Sequence, residues 1–169
     1  MNTYLDILYV GSQTKLLEKL GNEFGVSLTV LRSDLNAVNY LNTNKQPDAI
    51  ICDYNLPGNN GLYLFDWIRE RSAYDVIPFI LLGREFSSDL FKLTLKKKVD
   101  DYYVSSKVIC EDLVDRIRFL TKFKSRTASL ELTQTTKESY QMPLSKRLFD
   151  ISFASVALLL ASPFLLLIA

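Results

Sequence analysis

The segment Asp48-Ala49-Ile50-Ile51-Cys52-Asp53 is apolar at every position between its two carboxylates. A strand with one solvent face alternates apolar and polar residues; a strand with none belongs in a parallel sheet covered by helices on both sides. Other short apolar stretches repeat the theme. Leu5 to Val10, Ser27 to Leu31, Val76 to Leu82 and Asp101 to Val104 read as strands. Between them lie segments of helical period. These carry Leu16, Leu17, Leu20 and Phe24; then Leu35, Val38 and Leu41; then Leu62, Phe65 and Ile68. A fourth helix spans Phe86 to Lys96, and a fifth carries Ile109, Leu113, Ile117 and Leu120. Five βα units predict an α/β fold, a five-stranded parallel sheet, doubly wound. In such sheets ligands gather beyond the carboxyl ends of the strands, which here are Gly11-Ser12, Asp53, Gly83-Arg84 and Ser105.

Composition narrows the chemistry. The chain of 169 residues has 20 basic and 19 acidic side chains, so no global field attracts nucleic acid. It contains no histidine, which removes the commonest metal ligand and general base and argues against a zinc site or a Ser-His triad. Its two cysteines, Cys52 in an apolar strand and Cys110 opening a helix, suit free thiols in a reducing compartment. Residues 126–141 are polar and rich in Ser and Thr, and read as part of a linker. From Ile151 to Ala169 every residue is uncharged, a run that would extend roughly 28 Å as a helix, close to the thickness of a bilayer's hydrocarbon core. The predicted organisation is a domain over 1–124, a linker over 125–142 and a membrane helix over 143–169.

The stretch Asp53-Tyr54-Asn55-Leu56-Pro57-Gly58-Asn59-Asn60-Gly61 resembles the phosphoacceptor segment of the receiver domains of two-component response regulators. An aspartate ends the third strand, a Leu-Pro turn follows, and a glycine opens the next helix. Ile77 to Leu82 and Val99 to Val104 are similar to that family's fourth and fifth strands. The resemblance covers about three quarters of the chain and implies a flavodoxin-like receiver fold.

The resemblance also marks gaps. Receivers place an acidic pair for Mg²⁺ after the first strand; this chain has Gly11-Ser12. The hydroxyl residue that ends the fourth strand is replaced by Gly83, followed by Arg84, and the lysine that ends the fifth aligns with Ser105. Mg²⁺ wants several oxygen ligands, and Asp53 alone offers one carboxylate. Asp53 therefore reads as a vestigial phosphoacceptor that caps a turn or pairs with Arg84. The competing reading keeps it as an acceptor served by Lys107 or Arg84. No metal or cofactor is expected, apart from Mg²⁺ if the pocket, or a complete transferase domain, were functional. In the resembled family the fourth and fifth helices form a dimer face. Here that region carries Lys92, Lys96, Lys97, Lys98, Asp100, Asp101, Glu111, Asp112, Asp115 and Arg116, so a homodimer is the expected partner.

Lys146-Arg147-Leu148-Phe149-Asp150, followed by the apolar run with Ser162-Pro163 inside it, resembles the opening of the bacterial sugar transferases that move a sugar phosphate onto polyprenyl phosphate. Basic residues before the helix favour a cytoplasmic start, and Pro163 cannot donate to the carbonyl of Leu159, so a kink is expected. The helix is then re-entrant or spanning. The resemblance implies a bacterial inner-membrane protein in contact with lipid, with polyprenyl phosphate as a partner of a full-length form. It implies no transfer by this chain itself, since that family's catalytic carboxylates lie beyond residue 169. The expected function is the regulatory, dimerising and anchoring N-terminal portion of such a transferase, in exopolysaccharide or lipopolysaccharide synthesis. The alternatives are a membrane-tethered receiver phosphorylated at Asp53 and a non-enzymatic anchored interaction module.

Overall fold

The computed structural model describes residues 4–13, 20, 25–43 and 46–135, with side chains through Leu130. The chain divides into two units at Ser129/Leu130, and of the second only residues 130–135 are described, as the end of a helix. Five strands form one parallel sheet: β1 (Leu5–Val10), β2 (Val26–Leu31), β3 (Ala49–Asp53), β4 (Phe79–Gly83) and β5 (Asp101–Val104), in the order β2-β1-β3-β4-β5. Helices cover Asp34–Thr43, Gly61–Arg69, Ser88–Lys97 and Cys110–Thr135, and a 3₁₀ turn lies at Ser72–Tyr74.

β3 is buried at all five positions because it sits in the middle with helices on both faces. Ala49 and Ile51 point into one cluster with Ile7, Ile80, Leu113 and Ile117. Ile50 and Cys52 point into the other, with Leu8, Leu64, Phe65, Ile68 and Phe79. The alternation is the two-residue period of a pleated strand. The chain moves from β1 outward to β2, then returns across β1 to β3. The winding therefore reverses between β1 and β3, and the crevice at their carboxyl ends lies between Val10-Gly11 and Asp53.

The parallel, doubly wound sheet agrees with the sequence; several details differ from it. β4 starts at Phe79 rather than Val76, which is 40% exposed beside the 3₁₀ turn. Leu35 and Ile109, expected to face inward, are exposed; Asp34, Ala37 and Leu41 form the inner face of the helix that starts at Asp34. In the first expected helix only Leu20 falls among the described residues, and it is buried. The last helix continues to Thr135, through residues expected to be linker. Three hydroxyls along this stretch bond to their own helix: Ser125 Oγ donates to Lys122 O, Thr127 Oγ1 to Phe123 O and Ser129 Oγ to Ser125 O. With no Gly or Pro to stop it, a polar sequence of this kind stays helical.

The opposite end of the sheet is fastened by Asp100. Its Oδ2 accepts from Arg69 Nη2 at 2.7 Å, from the backbone N–H of Phe79 at 2.7 Å and from Lys124 Nζ at 2.8 Å. One carboxylate thus joins the Gly61–Arg69 helix, the start of β4 and the last helix. Burial lowers the basicity of Lys124, and the Asp100 charge partly restores it. Five of the charges expected on a dimer face (Lys97, Asp100, Asp101, Asp115 and Arg116) are paired inside the domain. Besides Asp100, Lys97 pairs with Asp66 at 2.6 Å, Asp101 with Arg116 at 2.7 Å and Asp115 with Arg118 at 3.4 Å.

The membrane motif residues Lys146, Arg147, Phe149, Asp150, Ser162 and Pro163 lie outside the described residues. Among the described residues no helix is long and apolar enough to cross a membrane.

Candidate functional site

Asp53 ends β3 with only 5% of its surface exposed, and a buried carboxylate must find hydrogen-bond donors. It finds three, all from one side. The phenol of Tyr9 donates to Oδ1 at 2.9 Å and the Gln13 side-chain amide donates to the same oxygen at 3.1 Å. The backbone N–H of Ser12 donates to Oδ2 at 3.1 Å. Tyr9 is itself held, because its oxygen accepts from the backbone N–H of Gln13 at 3.0 Å. The end of β1 and the first residues after it form a closed ring around the carboxylate.

Burial pushes the Asp53 carboxyl above its usual range; the donors from Ser12, Tyr9 and Gln13, with the charge of Arg84, pull it partway back. Burial and the Asp53 charge push the Tyr9 phenol far up, so it serves as a neutral donor. The neighbouring Cys52 thiol is pushed up by burial, then by the charges of Asp53 and Asp34, which keeps it protonated and inert.

Gly11 is required by this ring. A β-carbon there would collide with Asp53 Oδ2 and come within 2.5 Å of both Asp53 Cγ and the Tyr9 oxygen. The space in which any side chain at position 11 would begin is already filled by Tyr9 and Asp53. Gly83 repeats the arrangement at the end of β4, where a β-carbon would collide with the Tyr102 oxygen and lie 3.0 Å from its Cζ. Tyr102 comes from β5 and donates to the carbonyl of Glu85 at 3.2 Å. Arg84 is exposed and forms no hydrogen bond or ion pair with Asp53; it acts through its charge alone. Ser105 is half-buried, and its backbone N–H donates to Gly83 O at 2.8 Å. Lys107 has its backbone N–H on Val104 O and makes no ion pair among the described residues. Beside these strand ends lies a cavity of about 520 Å³, lined by Tyr54, Asn55, Gly83, Arg84, Glu85 and the first turns of the Ser88–Lys97 helix.

The ring also decides how well Mg²⁺ fits. That ion takes near-octahedral oxygen coordination, usually through one or two carboxylates with waters. Asp53 is the sole carboxylate of the ring, both its oxygens are occupied by N–H or O–H donors, and the side chain that would bring a second is excluded at Gly11. Among the described residues no three His, Cys, Asp or Glu side chains converge as a metal site. The residues present do not fit the ion.

The family model of the response regulator receiver domain matches residues 12–118. The chain belongs to that family. Among solved structures, this receiver is similar to a response regulator from Chloroflexus aurantiacus J-10-fl, with 22% identity over 71% of this chain and 99% of that one, at a TM-score of 0.64. It is similar to the receiver domain of Francisella response regulator 1452, with 25% identity over 70% of this chain and 97% of that one, at a TM-score of 0.60. It also resembles the Mn²⁺-bound form of response regulator Rcp1, with 21% identity over 72% of this chain and 92% of that one, at a TM-score of 0.55. A comparison with curated proteins finds no match.

The expected positions Gly11, Ser12, Asp53, Gly83 and Arg84 do meet at one edge of the receiver, and Ser105 touches it through its backbone. Tyr9, Gln13 and Tyr102 were not foreseen. Tyr9 looks like a core residue of an apolar strand, and only its two-residue offset from Gly11 places both on one face of β1. Tyr102 carries no signal in the sequence, because its partner Gly83 belongs to another strand.

Proposed function

We propose that this receiver is a regulatory module whose output does not depend on Mg²⁺-supported phosphorylation of Asp53. The observation that carries the reading is the ring of Tyr9, Ser12 and Gln13 donors on the Asp53 oxygens, with Gly11 leaving no room for an acidic neighbour. Phosphorylating an aspartate requires charge neutralisation at the acceptor and donors for the transferred oxygens. Here the donors are spent on the unmodified carboxylate. The test is exposure of the full chain to beryllofluoride with millimolar Mg²⁺, followed by NMR. Unchanged signals at Ser12, Gln13 and Tyr54 support the proposal. Saturable shifts there would favour the second reading, a receiver phosphorylated at Asp53 by a sensor kinase. That reading draws on family membership and on the position of Asp53 at the end of β3.

The finer proposal joins this module to a membrane enzyme. Lys146-Arg147-x-Phe149-Asp150 and Ser162-Pro163 support attachment to a polyprenyl-phosphate sugar-phosphate transferase at the bacterial inner membrane, with the receiver as its cytoplasmic regulatory and dimerising part. A homodimer through the Ser88–Lys97 and Cys110–Thr135 helices is supported by exposed Phe91 and Leu95 on the first and by the stacked, exposed pair Phe119 and Phe123 on the second. The intact mass of the polypeptide in its own membranes tests the attachment. A species much heavier than 19.3 kDa supports a transferase, and one of 19.3 kDa favours an anchored, non-enzymatic module.

A further inference from the structure

The cavity of about 520 Å³ beside the ends of β3 and β4 lies within the roughly 300–1,000 Å³ usual for small-molecule sites. Its walls are fixed by the chain's own hydrogen bonds. The Tyr54 N–H donates to Leu82 O at 2.7 Å, and the Tyr54 carbonyl accepts from the Gly61 N–H at 2.8 Å. On the helix side, Ser87 Oγ accepts from the Leu90 N–H at 3.3 Å and caps the Ser88–Lys97 helix. Leu90 and Leu93, three positions apart on one helix face, supply an apolar wall, and Gly83 adds no side chain to fill the space. Three charged side chains line the same cavity: Arg84, Glu85 and Asp89. All three are exposed, and among the described residues none makes an ion pair or a side-chain hydrogen bond. Elsewhere in the domain opposite charges close on one another, as Lys97 does with Asp66 and Arg116 with Asp101. Here both signs stand open around one apolar-walled space. A simple anion would gain Arg84 but face Glu85 and Asp89; a simple cation would meet the reverse.

We propose that this cavity binds a small zwitterion with an apolar side chain, a free α-amino acid of the leucine or phenylalanine kind. The Arg84 guanidinium takes the carboxylate through its forked N–H donors, and Glu85 and Asp89 take the ammonium group. Tyr54, Leu90 and Leu93 receive the side chain. Tyr54 belongs to the loop after Asp53 and the two leucines to the Ser88–Lys97 helix, so occupancy ties these two elements together. The site gives the regulatory module an input that needs neither Mg²⁺ nor phosphorylation. It does not depend on that reading, because none of its contacts uses the Asp53 side chain; the response to beryllofluoride and the response to an amino acid are separate results.

The test is amide NMR of the full chain in detergent micelles, titrated through the millimolar range with L-phenylalanine and, separately, with L-leucine. Saturable shifts at Tyr54, Arg84, Glu85, Leu90 and Leu93, with Ile68 and Lys124 unmoved, are the expected result for at least one of the two. No saturable shift at these residues with either amino acid would overturn the site. Two truncated probes test the zwitterion. 3-Phenylpropanoate lacks the ammonium group and 2-phenylethylamine lacks the carboxylate, and each is expected to bind about tenfold or more weakly than L-phenylalanine. Equal binding by either probe would overturn the charge assignment. Arg84→Gln is expected to weaken L-phenylalanine by about tenfold and to leave 2-phenylethylamine no weaker than in the wild type. Unchanged affinity for L-phenylalanine in that variant would remove Arg84 from the site and overturn the proposal.

Discussion

Tyr9 and Asp53, 44 positions apart, share a hydrogen bond of 2.9 Å in which the phenol donates to Oδ1, and the same phenol oxygen accepts from the N–H of Gln13. A single hydroxyl thus both satisfies the buried carboxylate and sets the course of the chain leaving β1. In a low-dielectric pocket such a donor is worth more than in water, and its loss leaves two polar groups short of a partner.

Tyr9→Phe is accordingly expected to destabilise the receiver by about 1–3 kcal/mol, the cost of leaving buried polar groups unsatisfied. It should also raise the Asp53 pKa further, because one of the bonds that favour the charged form is gone. Chemical denaturation gives the first effect, and titration of the Asp53 carboxyl carbon by NMR gives the second. A variant as stable as the wild type, with an unmoved titration, would contradict the role assigned to Tyr9.

The pH dependence has a definite sign. The Asp53 pKa is raised in the folded state from an ordinary value of 3.8, chiefly by burial. Below that ordinary value the carboxyl is neutral in both states and costs nothing. As pH rises toward the folded-state pKa the unfolded chain releases its proton first, so stability attributable to Asp53 falls. Compared with Asp53→Asn, the wild type should lose ground from pH 3.8 upward until the folded carboxyl has ionised, and level off beyond. Denaturation midpoints of the two proteins across that window check it; a gap that does not change with pH would count against a raised pKa.

Gly11→Ala is expected to cost about 1–3 kcal/mol, the usual penalty of forcing an extra carbon into a filled site. Gly11→Asp should be no better tolerated, and adding Mg²⁺ should not rescue it, because the obstacle is the first carbon of the side chain. Thermal unfolding with and without Mg²⁺ measures both. Recovery of stability on adding the ion would mean that Tyr9 and Asp53 move aside to build a metal site.

Far from the site, Asp100→Ala should be among the most damaging single changes. It leaves the half-buried cations Arg69 and Lys124 without their carboxylate and the Phe79 N–H without its acceptor. Removing one member of a buried charge cluster typically costs about 3 kcal/mol or more. Loss of the cooperative unfolding transition at a temperature where the wild type is folded would match; a shift as small as that of a surface substitution would not.

Local patterns made much of this receiver readable. Ala49 to Cys52 needed two covered faces, and the alternation of strands with helical segments dictated the βα repeat whatever the remote contacts. Helix faces were harder to read. Leu35 fits a helical period, but the inner face of its helix is set by Asp34, Ala37 and Leu41, which leaves Leu35 to solvent, and Ile109 precedes the last helix, which starts at Cys110. The length of the last helix was hidden because residues 126–135 show no apolar stripe, and the hydroxyls of Thr127 and Ser129 bond to the helix backbone instead.

By itself the sequence determined the parallel α/β architecture, the place of Asp53 at the end of β3, and the lack of a carboxylate at positions 11 and 12, because these depend on residue type and on spacing along one element. Only the tertiary structure decided what fills the space those substitutions leave. Tyr9 reaches Asp53 across the pairing of β1 with β3, and Tyr102 reaches Gly83 across the pairing of β4 with β5. Both depend on which strands become neighbours, and strand neighbours are chosen by the winding of the whole sheet.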